Sequence, residues 1–158
     1  MKRCRLTRKL PYKEGTWFAI PLQQSGYAIG RVGRYAPGGK IILAYLFGPK
    51  RGHVPKLSEI NNLEPCEAIK VIRVSDLGLI DGHWPIIGDS PSWERNRWPI
   101  PTFVRRDDLG KVAWQVVYSD SDPNMVVFEQ RISCETIKLE SASLYGAKAV
   151  EALLSQIL

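Results

Sequence analysis

Glycine and proline punctuate the first third of this sequence so closely that no long helix can cross it. Turn residues at Gln23-Gln24-Ser25-Gly26 and at Pro37-Gly38-Gly39 separate three runs, Trp17 to Leu22, Tyr27 to Tyr35 and Ile41 to Phe47. The runs have the length and the β-branched and aromatic content of strands. Pro21 places the end of the first at a sheet edge or a bend, and Ile41 to Phe47 is apolar enough to be buried on both faces. Gly30 and Gly33 inside the second run point to strong bending or to close approach of another backbone. Three strands joined by short turns make a meander that glycine lets coil toward a barrel.

The rest of the chain continues the pattern. Residues 48–55 read as a polar loop, and Ser58 reads as the N-cap of a short helix reaching Leu63. A fourth strand is expected over Ala68 to Val74 and a fifth over Trp84 to Gly88, with turn residues around a small apolar patch between them. Pro91, Pro99 and Pro101 lack the amide donors of a regular element, so residues 89–101 read as a loop. Val112 to Tyr118 and Met125 to Ile132 alternate in character around Asp120-Ser121-Asp122-Pro123-Asn124, which makes a hairpin. Val150, Leu153, Leu154 and Ile157 fall at helical spacing, so residues 143–156 read as an amphipathic helix packed on the sheet. The expected fold is mostly β (α+β): a small, strongly bent antiparallel sheet or partial barrel, with a short helix and a C-terminal amphipathic helix.

A chain of 158 residues has the length of one domain and can bury a core of its own. The net charge of +6 would suggest a nucleic-acid partner were it spread over the surface. Six of the 22 bases lie in the first 13 residues, however, and all 16 acids lie beyond them, so the body is formally neutral. The basic character therefore belongs to an N-terminal arm, residues 1–10, ahead of a single domain over residues 11–158. No run approaches the ~20 apolar residues that cross a bilayer, and the charged start lacks the apolar core of a secretion signal. Both features point to a cytoplasmic protein with no membrane partner. Cys4, Cys66 and Cys134 are an odd set with wide spacing, which fits neither a disulfide framework nor a metal site. Cys134 reads as a small buried residue at a strand end.

Nothing along the chain has the spacing of a catalytic or cofactor motif. His53 and His83 stand 30 residues apart in sequence, outside any ligand pair at helical spacing. Asp76 and Asp81, like Asp107 and Asp108, are accounted for by turn chemistry. Gly48-Pro49-Lys50-Arg51-Gly52 imitates a phosphate loop, but Pro49 removes one of the amides such a nest would use. No cofactor and no catalysis are expected.

Trp and Arg concentrate between residues 84 and 106. Trp93, Arg95, Arg97, Trp98, Arg105 and Arg106 are of the types that dominate binding hot spots, and several lie on a proline-stiffened loop with less entropy to lose on association. Lys50, Arg51 and His53 form a second candidate patch. Two readings stand open. The cluster is a recognition surface, or Trp84 and Trp98 plug the barrel while the arginines pair with Asp89, Glu94, Asp107 and Asp108. Aromatics mixed with bases also suit RNA or single-stranded DNA, the alternative partner, but that requires a basic groove which a neutral body does not obviously supply.

Several segments, taken together, are familiar. They are Tyr12-Lys13-Glu14-Gly15-Thr16-Trp17-Phe18-Ala19-Ile20-Pro21-Leu22, Gly26-Tyr27-Ala28-Ile29-Gly30-Arg31-Val32 and Leu46-Phe47-Gly48-Pro49-Lys50-Arg51. Further along come Asp76-Leu77-Gly78-Leu79-Ile80-Asp81-Gly82-His83-Trp84-Pro85-Ile86-Ile87-Gly88, then Trp98-Pro99-Ile100-Pro101-Thr102-Phe103-Val104-Arg105-Arg106-Asp107, and Leu144-Tyr145-Gly146. In order and spacing they resemble the bacterial polymorphic-toxin immunity proteins numbered twenty-six, a mostly β family. The resemblance covers nearly all of the chain after the arm. It implies a protein made beside a secreted toxin that protects its producer by binding that toxin. It carries over no catalytic and no toxin-contact residues, and it says nothing of the arm. A protein mimicking nucleic acid to plug a nuclease would be acidic, so direct mimicry is disfavoured.

Overall fold

The computed structural model describes residues 9–133 and 138–158. The meander is present: β1 (Thr16–Pro21), β2 (Tyr27–Tyr35), β3 (Ile41–Arg51) and β4 (Lys70–Ser75) pair antiparallel in succession. β5 (Ile86–Asp89) pairs with the free side of β1, and β10 (Leu144–Tyr145) pairs parallel with β4. This completes a six-stranded sheet in the order β10-β4-β3-β2-β1-β5. A second sheet contains β6 (Phe103–Arg106), β7 (Ala113–Ser119), β8 (Asp122–Ile132) and β9 (Glu140–Ser141) in the order β8-β7-β6-β9, with β9 parallel to β6. The helices are α1 (Leu57–Ile60), α2 (Leu77–Ile80) and α3 (Ala147–Ile157).

Mostly β is the fold, but the barrel expectation needs correction. Both sheets are open and mixed, and the second sheet packs face-on where barrel closure would have turned strands inward. Residues 48–51 of the expected polar loop continue β3, with Arg51 paired to Tyr27. The short helix starts at Leu57, where the Glu59 carboxylate accepts the Lys56 N–H at 3.1 Å, so Ser58 is not its cap. Gly30 and Gly33 make room for side chains, not for another backbone: a Cβ at Gly30 would stand 2.4 Å from the Phe18 ring. The basic arm lies outside the described residues as far as residue 8, and so do Cys4 and Cys134.

Alternation along the first sheet buries both of its faces, as Ile41 to Phe47 requires. Phe18, Ile20, Val32, Ile42, Leu46, Ile72 and Val74 point to one face, where Trp84, Leu79 of α2 and Val150 and Leu154 of α3 cover them. Trp17, Ile29, Leu43, Tyr45 and Phe47 point to the other, against Phe103, Val116 and Tyr118 of the second sheet, with Ile60 and Trp98. The molecule therefore has three layers: helices α2 and α3, the large sheet, and the small sheet with α1 on its side. Burying each large side chain contributes roughly 1.5–3 kcal/mol, which makes these two cores the main source of stability.

The interface between the sheets also holds cations. Arg31, Arg34 and Arg73 are buried there, and Arg34 and Arg73 grip the outer layer largely through backbone oxygens. Arg73 donates to Pro123 O at 2.7 Å, to Ala142 O at 2.8 Å and to the Tyr118 hydroxyl at 2.8 Å. Arg34 donates to Gly33 O and Trp98 O. Charge-assisted bonds of this kind are stronger than neutral ones, which offsets part of the cost of removing a guanidinium from water.

Candidate protein-binding surface

The residues singled out from sequence divide into three places. Trp93, Arg95, Arg97 and Trp98 lie on the loop between β5 and β6, which makes a single turn of 3₁₀ helix at Arg95–Arg97. Arg105 and Arg106 end β6 on the second sheet. Lys50, Arg51 and His53 lie at the far end of β1: Lys50 and Arg51 pack around Gly26, whereas Trp93 packs on Gly15. The structure thus does not join the second patch to the first.

Trp98 is only 4% exposed and contacts Trp17, Tyr45 and Phe47 at ring distances of 5.0 to 6.1 Å, so its side chain supports the loop from beneath. Trp84 fills the opposite core, as the plugging alternative held. Three of the loop and β6 arginines have acidic partners, though not the acids expected from sequence. Arg95 bonds Glu14 at 2.9 Å and also Asp120, Arg97 pairs with Glu64, and Arg105 pairs with Glu129 while lying 4.2 Å above Trp114. Asp89 instead accepts the Thr16 hydroxyl, and Asp107 caps its own turn at the Val112 N–H. These pairings are long-range, which is why chain proximity did not reveal them.

Asp120, in the turn between β7 and β8, ties the loop to the second sheet. It accepts from Arg95 and from the buried Arg34, which it meets at 3.0 Å. The Arg95 hydrogen bond has the largest effect and lowers its carboxyl pKa; burial opposes it, and the hydrogen bond and charge of Arg34 add to the lowering, so the group stays below the ordinary carboxylate range. Deeper in, the Arg31 guanidinium stacks between Trp17, Trp93 and Trp98, 4.5 to 4.7 Å from each ring, and its Nε donates to Gly15 O. Among the described residues no carboxylate joins it, and burial lowers its pKa to about 10. Three indole faces replace the missing counter-ion by cation–π attraction.

A groove of about 690 Å³ lies over the second sheet, with Val104, Val116, Tyr118 and Val126 among its apolar lining and Arg105, Arg106 and Glu129 among its charged one. Beside it, β8 exposes four consecutive apolar side chains: Met125 (49%), Val126 (47%), Val127 (58%) and Phe128 (49%). Sequence reading noted Val126 and Phe128 as one alternating face. The signal it passed over was that Met125 and Val127 are apolar too, which leaves β8 without a polar face along this stretch.

Several of the acids, and His83, make structural contacts. Asp76 accepts the Tyr12 hydroxyl at 2.7 Å and the Lys40 N–H at 2.8 Å, and Glu151 of α3 meets His83 at 3.3 Å. Among the described residues no three His, Cys, Asp or Glu side chains gather to hold a metal, and no helix is long and apolar enough to cross a membrane. What this surface offers a ligand is apolar area, aromatic rings and guanidinium groups, the materials of a protein interface.

Neither a curated protein nor a solved structure matches the chain. A family model does: that of Immunity protein 26, over residues 13–115, which takes in β1 to β6, the Trp and Arg loop and the first strand residues of β7. Because the match covers well over half of the sequence and takes in five of the six strands of the large sheet and the start of the second, the chain belongs to the Immunity protein 26 family.

Proposed function

We propose that this chain neutralises a cognate bacterial toxin by binding it, protein to protein, inside the cell that makes both. The observation that carries this reading beyond family membership is the contiguous apolar run Met125 to Phe128, exposed beside a groove that holds arginines. An isolated exposed apolar residue is ordinary, but a contiguous patch rimmed by polar groups marks a partner site. The toxin-facing surface is the second sheet with the adjoining loop. Trp93, Arg95, Arg97, Arg105 and Arg106 are its polar and aromatic contacts, and buried Trp98 keeps the loop in shape. The Lys50, Arg51 and His53 patch, at the other end of β1, is a separate and smaller candidate. The inhibitor works by occupying surface and needs no cofactor and no reaction of its own.

The test is co-expression with the toxin encoded by the neighbouring gene, followed by purification at low and moderate salt. Restored growth and a one-to-one complex that survives moderate salt support the reading. Failure to protect, or retention of nucleic acid alone and only at low salt, replaces it with RNA or DNA binding.

A further inference from the structure

We infer that the outer edge of β8 takes up an extended segment of the toxin as an added strand of the second sheet; this rests on the toxin-binding reading above. The four sheet edges are unequal. β9 and β10 are two residues long and β5 is four. β8 runs for eleven residues, and among the described residues no strand pairs with its outer side. Proteins usually protect such an edge with lysine, proline, a bulge or brevity. Here Pro123 stands at the start and the register against β7 shifts on both sides of Tyr118, but Phe128 to Ile132 pair with β7 in regular register, no base occurs from Asp122 to Gln130, and Met125-Val126-Val127-Phe128 lie exposed beside that run.

An edge of this kind offers free backbone donors and acceptors, with apolar side chains on both faces to sort what docks. That suits an extended peptide whose own alternate positions are apolar. A second copy of this chain fits less well. Two β8 strands paired antiparallel about a two-fold axis at Val126 or Val127 would set Glu129 against Pro123 or Met125, and Asp122 against Gln130 or Ile132. No acid then meets a base. A toxin segment with basic residues outside its apolar centre meets Asp122 and Glu129 instead, the latter already in contact with Arg105.

Amide hydrogen exchange, read along the full chain alone and in complex with the toxin encoded beside it, tests the inference. Strand addition slows exchange at least tenfold at alternate residues of 128–132, the run in regular register with β7, because only every other amide there faces outward. Val127→Lys, at the most exposed of the four positions, is expected to weaken the complex about 100-fold with an unchanged urea midpoint. Val127→Thr, which keeps strand propensity and the main-chain bonds, stays within tenfold of the parent. A tight complex whose protection falls on residues 89–98, with Val127→Lys as strong as the parent, overturns strand addition and leaves toxin binding standing. Protection of the same amides in the free protein, together with a dimer by sedimentation, assigns the edge to a second copy instead. Absence of any complex removes both readings.

Discussion

The Phe18 ring and the Trp84 indole are stacked, their planes within 1° of parallel and their centroids 5.8 Å apart, and a glycine backs each of them. A Cβ added at Gly30 would come within 2.4 Å of Phe18, and one added at Gly78 within 2.4 Å of Trp84. The stack therefore has no slack at either end. Gly30→Ala and Gly78→Ala are each expected to cost about 1–3 kcal/mol by overpacking. Because they press on one column, the double variant should depart from additivity, as urea unfolding of the three variants would reveal.

Asp120→Ala should loosen the joint between the loop and the β7–β8 turn. The carboxylate is mostly exposed, so the cost at neutral pH is expected to be about 1 kcal/mol despite two arginine partners. Its folded pKa lies below the unfolded value of 3.8, so the stabilisation is present above that value and is lost as pH falls through the folded one. Parent and variant should converge in acid. Equal urea midpoints at pH 7 would show that the Asp120 link bears no load.

Alkaline pH probes the tyrosines. Burial pushes the Tyr45 phenol up to about 12, and burial with the hydrogen bond to Asp76 raises Tyr12 as well. A phenol held protonated on folding contributes stability that is complete below about pH 10 and lost as pH rises through the folded value. Arg31 acts in the opposite sense over the same range, since its folded pKa is lowered. Comparison with Tyr45→Phe isolates the tyrosine. The parent, whose Tyr45 hydroxyl bonds Pro99 O, should lead by about 1 kcal/mol at pH 8 and lose that lead by pH 12. A constant gap would contradict the assignment.

Trp93 and Trp98 should separate binding from folding. Trp98→Ala empties a place in the core between the sheets and is expected to cost about 3–5 kcal/mol. Trp93 is only partly buried, so Trp93→Ala should cost less in stability and more in toxin affinity. If calorimetry and titration with the toxin put both effects on Trp98, the loop is not a contact surface.

Legibility followed the range of the interactions. β2 ends at Tyr27 and Tyr35 as the sequence indicates, because turn chemistry on either side is local. β3 overran its expected end, since Lys50 and Arg51 look like loop until Tyr27 pairs with Arg51 from another strand. β6 is four residues long, half of them arginine, and was read only as a charged cluster. β9 and β10 are two-residue parallel strands, defined by partners 37 or more positions earlier in the chain. At the candidate surface, residue types identified the loop. Which rings were buried and which acids met which arginines depended on the packing of one sheet on the other.

Arg73 holds Pro123 and Ala142, and Arg34 holds Trp98, by carbonyl oxygens that every amino acid carries. The inner sheet thus keeps much of its hold on the outer one without regard to the side chains displayed there. Substitutions at the exposed positions of the outer layer leave these carbonyl contacts in place, so the displayed face can change while the frame beneath it is kept.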